Sequence, residues 1–295
     1  MDDFISKVSN GGQFKRIDWN KNFLPTTAAV AGEWFCLARG GGNPPADSIY
    51  NTGATNSFIP VFGTSSNSGA IQGIPGVTPS TAHIINASAF SASATTAPAV
   101  LMLVDLLGYY RVSAVTVTAT QSFTNAVSLP RYGDGSGVMA FAWNTNATAM
   151  GAAIPTLQIR YTNSNGVSNR LTPSSPALPS CKTAAANGLI LYSGTGAGKY
   201  GPFLPLQSGD SGILTVDAVQ LSVSYVSGEF SIGLCRPLLT LPITTLGVAS
   251  ERDLVNQMPS LPRIYDGACL IWLIYNGANT PTNSAFFGHL DIGWG

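Results

Sequence analysis

LQIRYTNSNGVSNRLT, running from Leu157 to Thr172, decides the fold class. Leu157, Ile159 and Tyr161 alternate with Gln158, Arg160 and Thr162. That period of two turns one face of a strand toward a core and the other toward solvent. Asn165-Gly166 follows, a pair that tolerates the positive φ of a tight turn, and Val167 to Leu171 forms the return strand. The segment reads as a β-hairpin.

Outward from this hairpin the same signal recurs. Val115 and Val117 alternate with Ala114, Thr116 and Thr118, and Val219, Leu221, Val223 and Tyr225 alternate with Gln220, Ser222 and Ser224. Phe286, Leu290, Ile292 and Trp294 share one face, opposite Phe287, His289 and Asp291. Cys269 to Tyr275 is apolar without a break, which predicts a strand covered on both faces. One short helix is expected, capped by Ser250, with Asp253 in its first turn, and stopped after Met258 by Pro259 and Pro262. Many short strands and one helix predict an all-β protein, either a jelly-roll-like fold or a two-sheet β-sandwich.

Residues 1–98 differ from the rest. From Gly40 to Pro98 the chain is rich in Gly, Ser, Thr, Ala, Asn and Pro, interrupted by short apolar pieces such as Phe58-Ile59-Pro60-Val61-Phe62 and Ile84-Ile85. The expected division is an extended N-terminal arm with loops and short strands over 1–98, and a β-sandwich core over 99–295.

Charge narrows the function. Charged residues make up 9% of the chain, against about 25% in an ordinary soluble domain, and 14 basic residues balance 14 acidic ones. So weakly charged a surface favours association with other subunits, because interface cores are depleted in charge. With no cluster of Lys and Arg, a nucleic-acid partner is not expected. The apolar run from Ala97 to Val104 is broken by Pro98 and too short to span a bilayer, so no membrane partner is expected either. Met-Asp-Asp-Phe lacks the basic and apolar regions of a secretory signal. Cys36, Cys181, Cys235 and Cys269 are scattered without metal-ligand or redox spacing and read as reduced, buried residues.

Several patterns imitate active sites. Gly194-Thr195-Gly196-Ala197-Gly198-Lys199 resembles a phosphate-binding loop, but Ser193 stands where the first glycine is needed and Tyr200 where a magnesium-binding hydroxyl is needed. Gly209-Asp210-Ser211-Gly212, with His83 and Asp105 upstream, resembles serine-protease segments, but Ile213 replaces the second glycine and Asp105 follows His83 too closely. The chain has two histidines, His83 and His289, and Asp47, Asp134, Asp210, Asp217 and Asp266 are spread singly, so no metal site is assigned. Tyr132 and Trp143 beside Asn144 to Thr148 suggest a sugar-stacking patch as an alternative. No catalytic, cofactor-binding or metal residues are assigned, no cofactor is expected, and the chain is not read as an enzyme.

Three segments carry a family resemblance. Leu157 to Thr172 is one; PFLPLQSGDSGILTVDAVQLS, Pro202 to Ser222, is the second; Leu234 to Leu238 with Ser250 to Leu270 is the third. They resemble structural proteins of tailed-bacteriophage virions. The resemblance implies a shell or shell-attached component of the virion, assembled in the bacterial host cytoplasm, and brings no catalytic residues with it. The absence of a long helix favours an auxiliary capsid protein, of the decoration or cement type, over the major capsid protein. Partners implied are the major capsid protein and copies of the chain itself, with a trimer as one form. The alternatives are a neck, tail or baseplate component, or a glycan- or receptor-binding β-sandwich head protein. Candidate inter-subunit contacts are the apolar pieces of the arm, Phe58, Ile59, Val61, Phe62, Ile71 and Ile74, each of which could instead fold back onto the chain's own core.

Overall fold

Two fourteen-residue strands, Ala99–Val112 and Phe230–Ile243, run antiparallel through the centre of the protein and organise the rest. Both carry long apolar runs, as strands covered on two faces require. The computed structural model describes residues 12–22, 31–64, 66–92, 98–124, 127–146, 149–173, 188–191, 201–277 and 284–295. In chain order the strands are β1 (Phe14–Asn22), β2 (Trp34–Cys36), β3 (Gly42–Asn43), β4 (Phe58–Pro60), β5 (Ala82–Ser91), β6 (Ala99–Val112), β7 (Gln121–Ser122) and β8 (Met139–Asn144). There follow β9 (Leu157–Asn163), β10 (Arg170–Leu171), β11 (Ile213–Leu221), β12 (Phe230–Ile243), β13 (Ser250–Asp253), β14 (Arg263–Ile264), β15 (Leu270–Asn276) and β16 (Ala285–Trp294). A one-turn helix, α1 (Leu254–Gln257), follows β13.

These strands make three antiparallel sheets. The central sheet is ordered β2-β15-β6-β12-β8, with β4 added to β6. A second is ordered β13-β5-β16-β1-β3, with β14 added to β5, and a third β10-β9-β11-β7. One face of the central sheet packs on the other two: Leu103 and Tyr110 of β6 share a core with Trp19, Ile84 and Leu290 of the second sheet and Ile159 and Val216 of the third. Trp19 meets Trp272 at 5.1 Å between ring centroids, and the Tyr110 hydroxyl accepts a hydrogen bond from Val216 N at 2.9 Å. The expected all-β sandwich is the observed class.

The other face of the central sheet is also covered. Val104, Leu106 and Tyr109 of β6 pack with Trp143, Cys235 and Ile271, under Tyr50, Val61 and Ala70. A bulge makes the change of face possible: Leu106 pairs with Cys235 and Gly108 with Leu234, leaving Leu107 as the extra residue. Beyond it Tyr110 and Val112 take the side that Leu101 and Leu103 hold before it.

The boundary expected near residue 98 is therefore redrawn. β1 pairs with the C-terminal β16 over its whole length, β5 pairs with β16 on the other side, and β2 and β4 extend the central sheet. Ala38, Tyr50, Val61 and Ala70 lie against their own sheet because its second face has apolar side chains that need cover. Lys21 helps to close this segment: its buried ammonium donates to the carbonyl oxygens of Gly40, Pro44 and Pro45 at 2.8, 3.1 and 3.2 Å. Burial lowers its pKa to about 8, so it keeps its proton at neutral pH.

Two further expectations are corrected. Ser250 does not cap the helix; Ser250–Asp253 is a strand, and Asp253 is the cap, its side chain accepting from Val255 N and Asn256 N. Val115 to Thr118 is a turn despite its alternation, with Val115 buried and Val117 exposed. The Asn165-Gly166 hairpin is present as β9–β10, with Gly166 at a φ of 75°.

Candidate functional site

The residues that imitate a protease do not meet as one. Both carboxylate oxygens of Asp105 are taken by Arg131, and one of them also accepts from Cys269 N. His83 lies on β5 opposite Arg263, which with burial lowers its pKa, and the Ser211 hydroxyl bonds that of Ser164. The Gly194–Lys199 loop lies outside the described residues. The scattered aspartates are each engaged separately: Asp47 with Arg39, Asp134 with Ser136 N, Asp210 with Arg170, Asp217 with Thr215 and Asp266 with Thr78. Among the described residues no group of three or more metal-ligating side chains forms. Trp143 is fully buried against Tyr50 and Phe141, so the suggested sugar patch beside Tyr132 has no exposed indole.

What the fold does present is surface for contact, in two places. The first is built on a buried ion pair. The Arg131 and Asp105 side chains are 2% and 1% exposed, joined by two hydrogen bonds of 2.9 and 2.8 Å. Arg131 also donates to Leu106 O at 2.8 Å and to Val61 O at 3.3 Å. Such a fork satisfies the charge with geometry as well as Coulomb energy. It ties β6 and the start of β15 to the stretch that follows β4.

That stretch borders an open groove of about 530 Å³. Ile49, Gly53, Ile59, Pro60, Phe62 and Tyr109 are among its lining residues. β4 pairs with β6 so that Phe58 stands over Gly108, where an added Cβ would lie 2.3 Å from the Phe58 ring. Phe58 therefore points inward, and the alternation leaves Ile59 at the groove. Of the six candidate contact residues, Phe58, Val61 and Ile71 are buried in the protein's own core and Ile74 is half-buried against it. Ile59 is likewise half-buried, against the second-face core, and Phe62 is exposed at 45%, with the Arg131 guanidinium 5.7 Å from its ring centroid.

The second place is a tip formed by three loops, 113–120, 149–156 and 222–228. Backbone hydrogen bonds join them: Tyr225 N to Val115 O, Gly151 N to Ser227 O and Ser222 N to Thr156 O. None of the three contains an Asp, Glu, Lys, Arg or His. They expose Val117, Ile154, Val223 and Val226, the last at 75%. Val226 has a φ of 67°, a left-handed conformation that costs a β-branched residue on the order of 1–3 kcal/mol and persists only where the surroundings impose it. Periodicity assigned Val117 and Val223 to strand faces; the usable signal was apolar residues set among Ser, Thr, Ala and Gly with no charge inside the loops.

No protein-family model matches the sequence, and a search of curated proteins finds no match. Among solved structures, a chain in the structure of infectious bursal disease virus Gt strain aligns with 99% of this chain and 86% of its own, at 10% identity. The TM-score of that alignment is 0.21, too low to carry an argument about fold or role.

Proposed function

We propose that this protein is a structural subunit of a virus particle, an auxiliary capsid protein of the decoration or cement type that works through contacts with the major shell protein and with its own copies. The observation that carries this reading is the charge-free tip, whose exposed Val117, Ile154, Val223 and Val226 gain by being covered. The groove beside Ile59 and Phe62 offers a second contact of the same character. A specific interface buries about 1,200–2,000 Å² in total, more than four side chains supply, so the reading uses both surfaces. Many modest contacts repeated over a shell act together, as any multivalent attachment does. The resemblance to tailed-phage structural proteins supports the class of particle.

Copy number tests it. Quantitative mass spectrometry of purified virions is expected to find this chain in a simple ratio to the major capsid protein. A dozen copies or fewer would move it to a neck, tail or baseplate ring, and its absence from particles would overturn the structural reading.

A further inference from the structure

The outer face of the second sheet carries a different kind of surface. Along β1, Ile17, Trp19 and Lys21 point inward, which leaves Arg16, Asp18 and Asn20 outside. The register aligns these with β16 and β5 in three rows: Arg16 with Asp291 and Asn86, Asp18 with His289 and Ser88, Asn20 with Phe287 and Phe90.

The rows are not equivalent. In the first, polar groups satisfy one another: Arg16 grips Asp291 through two hydrogen bonds of 2.7 Å, and Asn86 donates to Glu251 at 2.6 Å. In the second they do not. No hydrogen bond reaches the Asp18 carboxylate among the described residues, and His289 Nε2 is buried without a partner, 3.9 Å from Asp291 Oδ2. In the third, the Phe287 and Phe90 rings stack at 5.3 Å and 19° between planes, both part-exposed. Asn20 Oδ1 accepts from Asn43 N at 3.0 Å, which brings a second amide to the edge of the row. The second and third rows line one open cleft of about 380 Å³, within the roughly 300–1,000 Å³ usual for small-molecule sites.

We infer that this cleft binds a neutral sugar ring of a glycan. A pyranose has an apolar C–H face that packs on phenyl rings and a rim of hydroxyls that both donate and accept. Phe287 and Phe90 supply the apolar contact. Asp18 accepts, and Asn20 and Asn43 do both. No Lys or Arg lines the cleft, and Asp18 stands in it, so a phosphate or carboxylate ligand is repelled where a neutral one is not. None of the residues that line it belongs to the two surfaces used in the proposed assembly.

Saturation-transfer NMR on the full chain tests this, with glucose, galactose, mannose, N-acetylglucosamine and their disaccharides as probes and sialic acid as the anionic control. At least one neutral sugar is expected to receive saturation, and sialic acid none. Affinity is expected to fall at least about tenfold, roughly 1.4 kcal/mol, in Asp18→Ala and in Asn20→Ala, and to be unchanged in Phe62→Ala. Phe287→Ala should abolish binding; if that variant fails to fold, the two polar variants decide, the exposed Asp18 first. Transfer to no neutral sugar, transfer that survives both polar variants, or equal transfer to sialic acid would overturn the inference. Copy number in particles is unaffected by any of these outcomes.

Discussion

A carboxylate in the middle of β6, a long and largely apolar strand at the centre of the protein, is tolerable only with a full set of partners. Asp105 has them: burial pushes its carboxyl up, while the hydrogen bonds and charge of Arg131 and the Cys269 amide pull it back. The sequence shows Asp105 as the one acidic residue in the run Ala99–Val112, but not its partner 26 residues later, because Arg131 sits in a segment with no periodicity. Removing one partner leaves the other buried and unpaired. Asp105→Ala is therefore expected to cost about 3–5 kcal/mol in urea unfolding, whereas Asp105→Leu with Arg131→Met costs much less, since apolar replacement of a buried pair is often close to neutral. A single-variant loss below about 1 kcal/mol would mean that water reaches the guanidinium. The same pair anchors Val61, so Asp105→Ala should also loosen the groove wall at Phe62 before the sheet itself unfolds.

At the level of elements, the sequence exposes strands whose alternation is local and hides those whose partner is distant. β9, β15 and β16 follow from period-two or unbroken apolar runs. β1 does not: FKRIDWNKN places Ile17 and Trp19 among charges and amides, and its partner is β16, some 270 residues away. Val115 to Thr118 fails for the opposite reason, since its alternation has no strand to pair with and Val115 O is used by Tyr225 N. The β9–β10 hairpin was legible from Asn165-Gly166, yet what fixes it was not. Asn163 Oδ1 accepts from Asn165 N and Val167 N, and its amide donates to Asp210, which also holds Arg170 and Tyr161. Arg170 first, then Tyr161 and Asn163, draw the Asp210 pKa from 3.8 down to about 2. A lowered carboxylate pKa contributes stability that is complete above its unfolded value and lost as pH falls through the folded one. Amide exchange in the hairpin, corrected for intrinsic rates, should accelerate between pH 4 and pH 2, and Asp210→Asn should remove that dependence. Global melting followed from neutral pH downward mixes in Asp47, raised to about 6 by burial, whose contribution has the opposite sign: it is full below about 4 and lost as pH rises through 6. Hairpin protection that is flat from pH 5 to pH 2 would contradict the assignment.

For the whole molecule, the scarcity of charge has two explanations that the fold separates. Part of it is internal: Val61 helps to cover the second face of the central sheet while Phe58 and Ile71 pack into the core on its first face, so all three are core residues of the chain. Their short apolar pieces in a Gly- and Ser-rich stretch gave no sign of this, since a cover strand and an arm look alike without knowledge of what they lie on. The remainder lies at the surface and includes the tip, where Val226 is 75% exposed and local hydrogen bonds, among them Val226 N to Ser224 Oγ, hold its φ of 67°. Charge placed there separates folding from assembly. Val223→Asp with Val226→Asp alters only exposed side chains, so unfolding should shift by no more than about 0.5 kcal/mol per site. Self-association measured by sedimentation, and incorporation into particles, should both fall sharply, because two carboxylates would have to be desolvated in each contact. Val226→Gly makes the intermediate test: it relieves the left-handed strain and keeps the tip uncharged but removes one apolar contact side chain, so it should weaken assembly modestly while the aspartate pair abolishes it. If the aspartate variant folds and still enters particles in normal number, the tip is not the contact, and the groove at Ile59 and Phe62 alone must carry attachment.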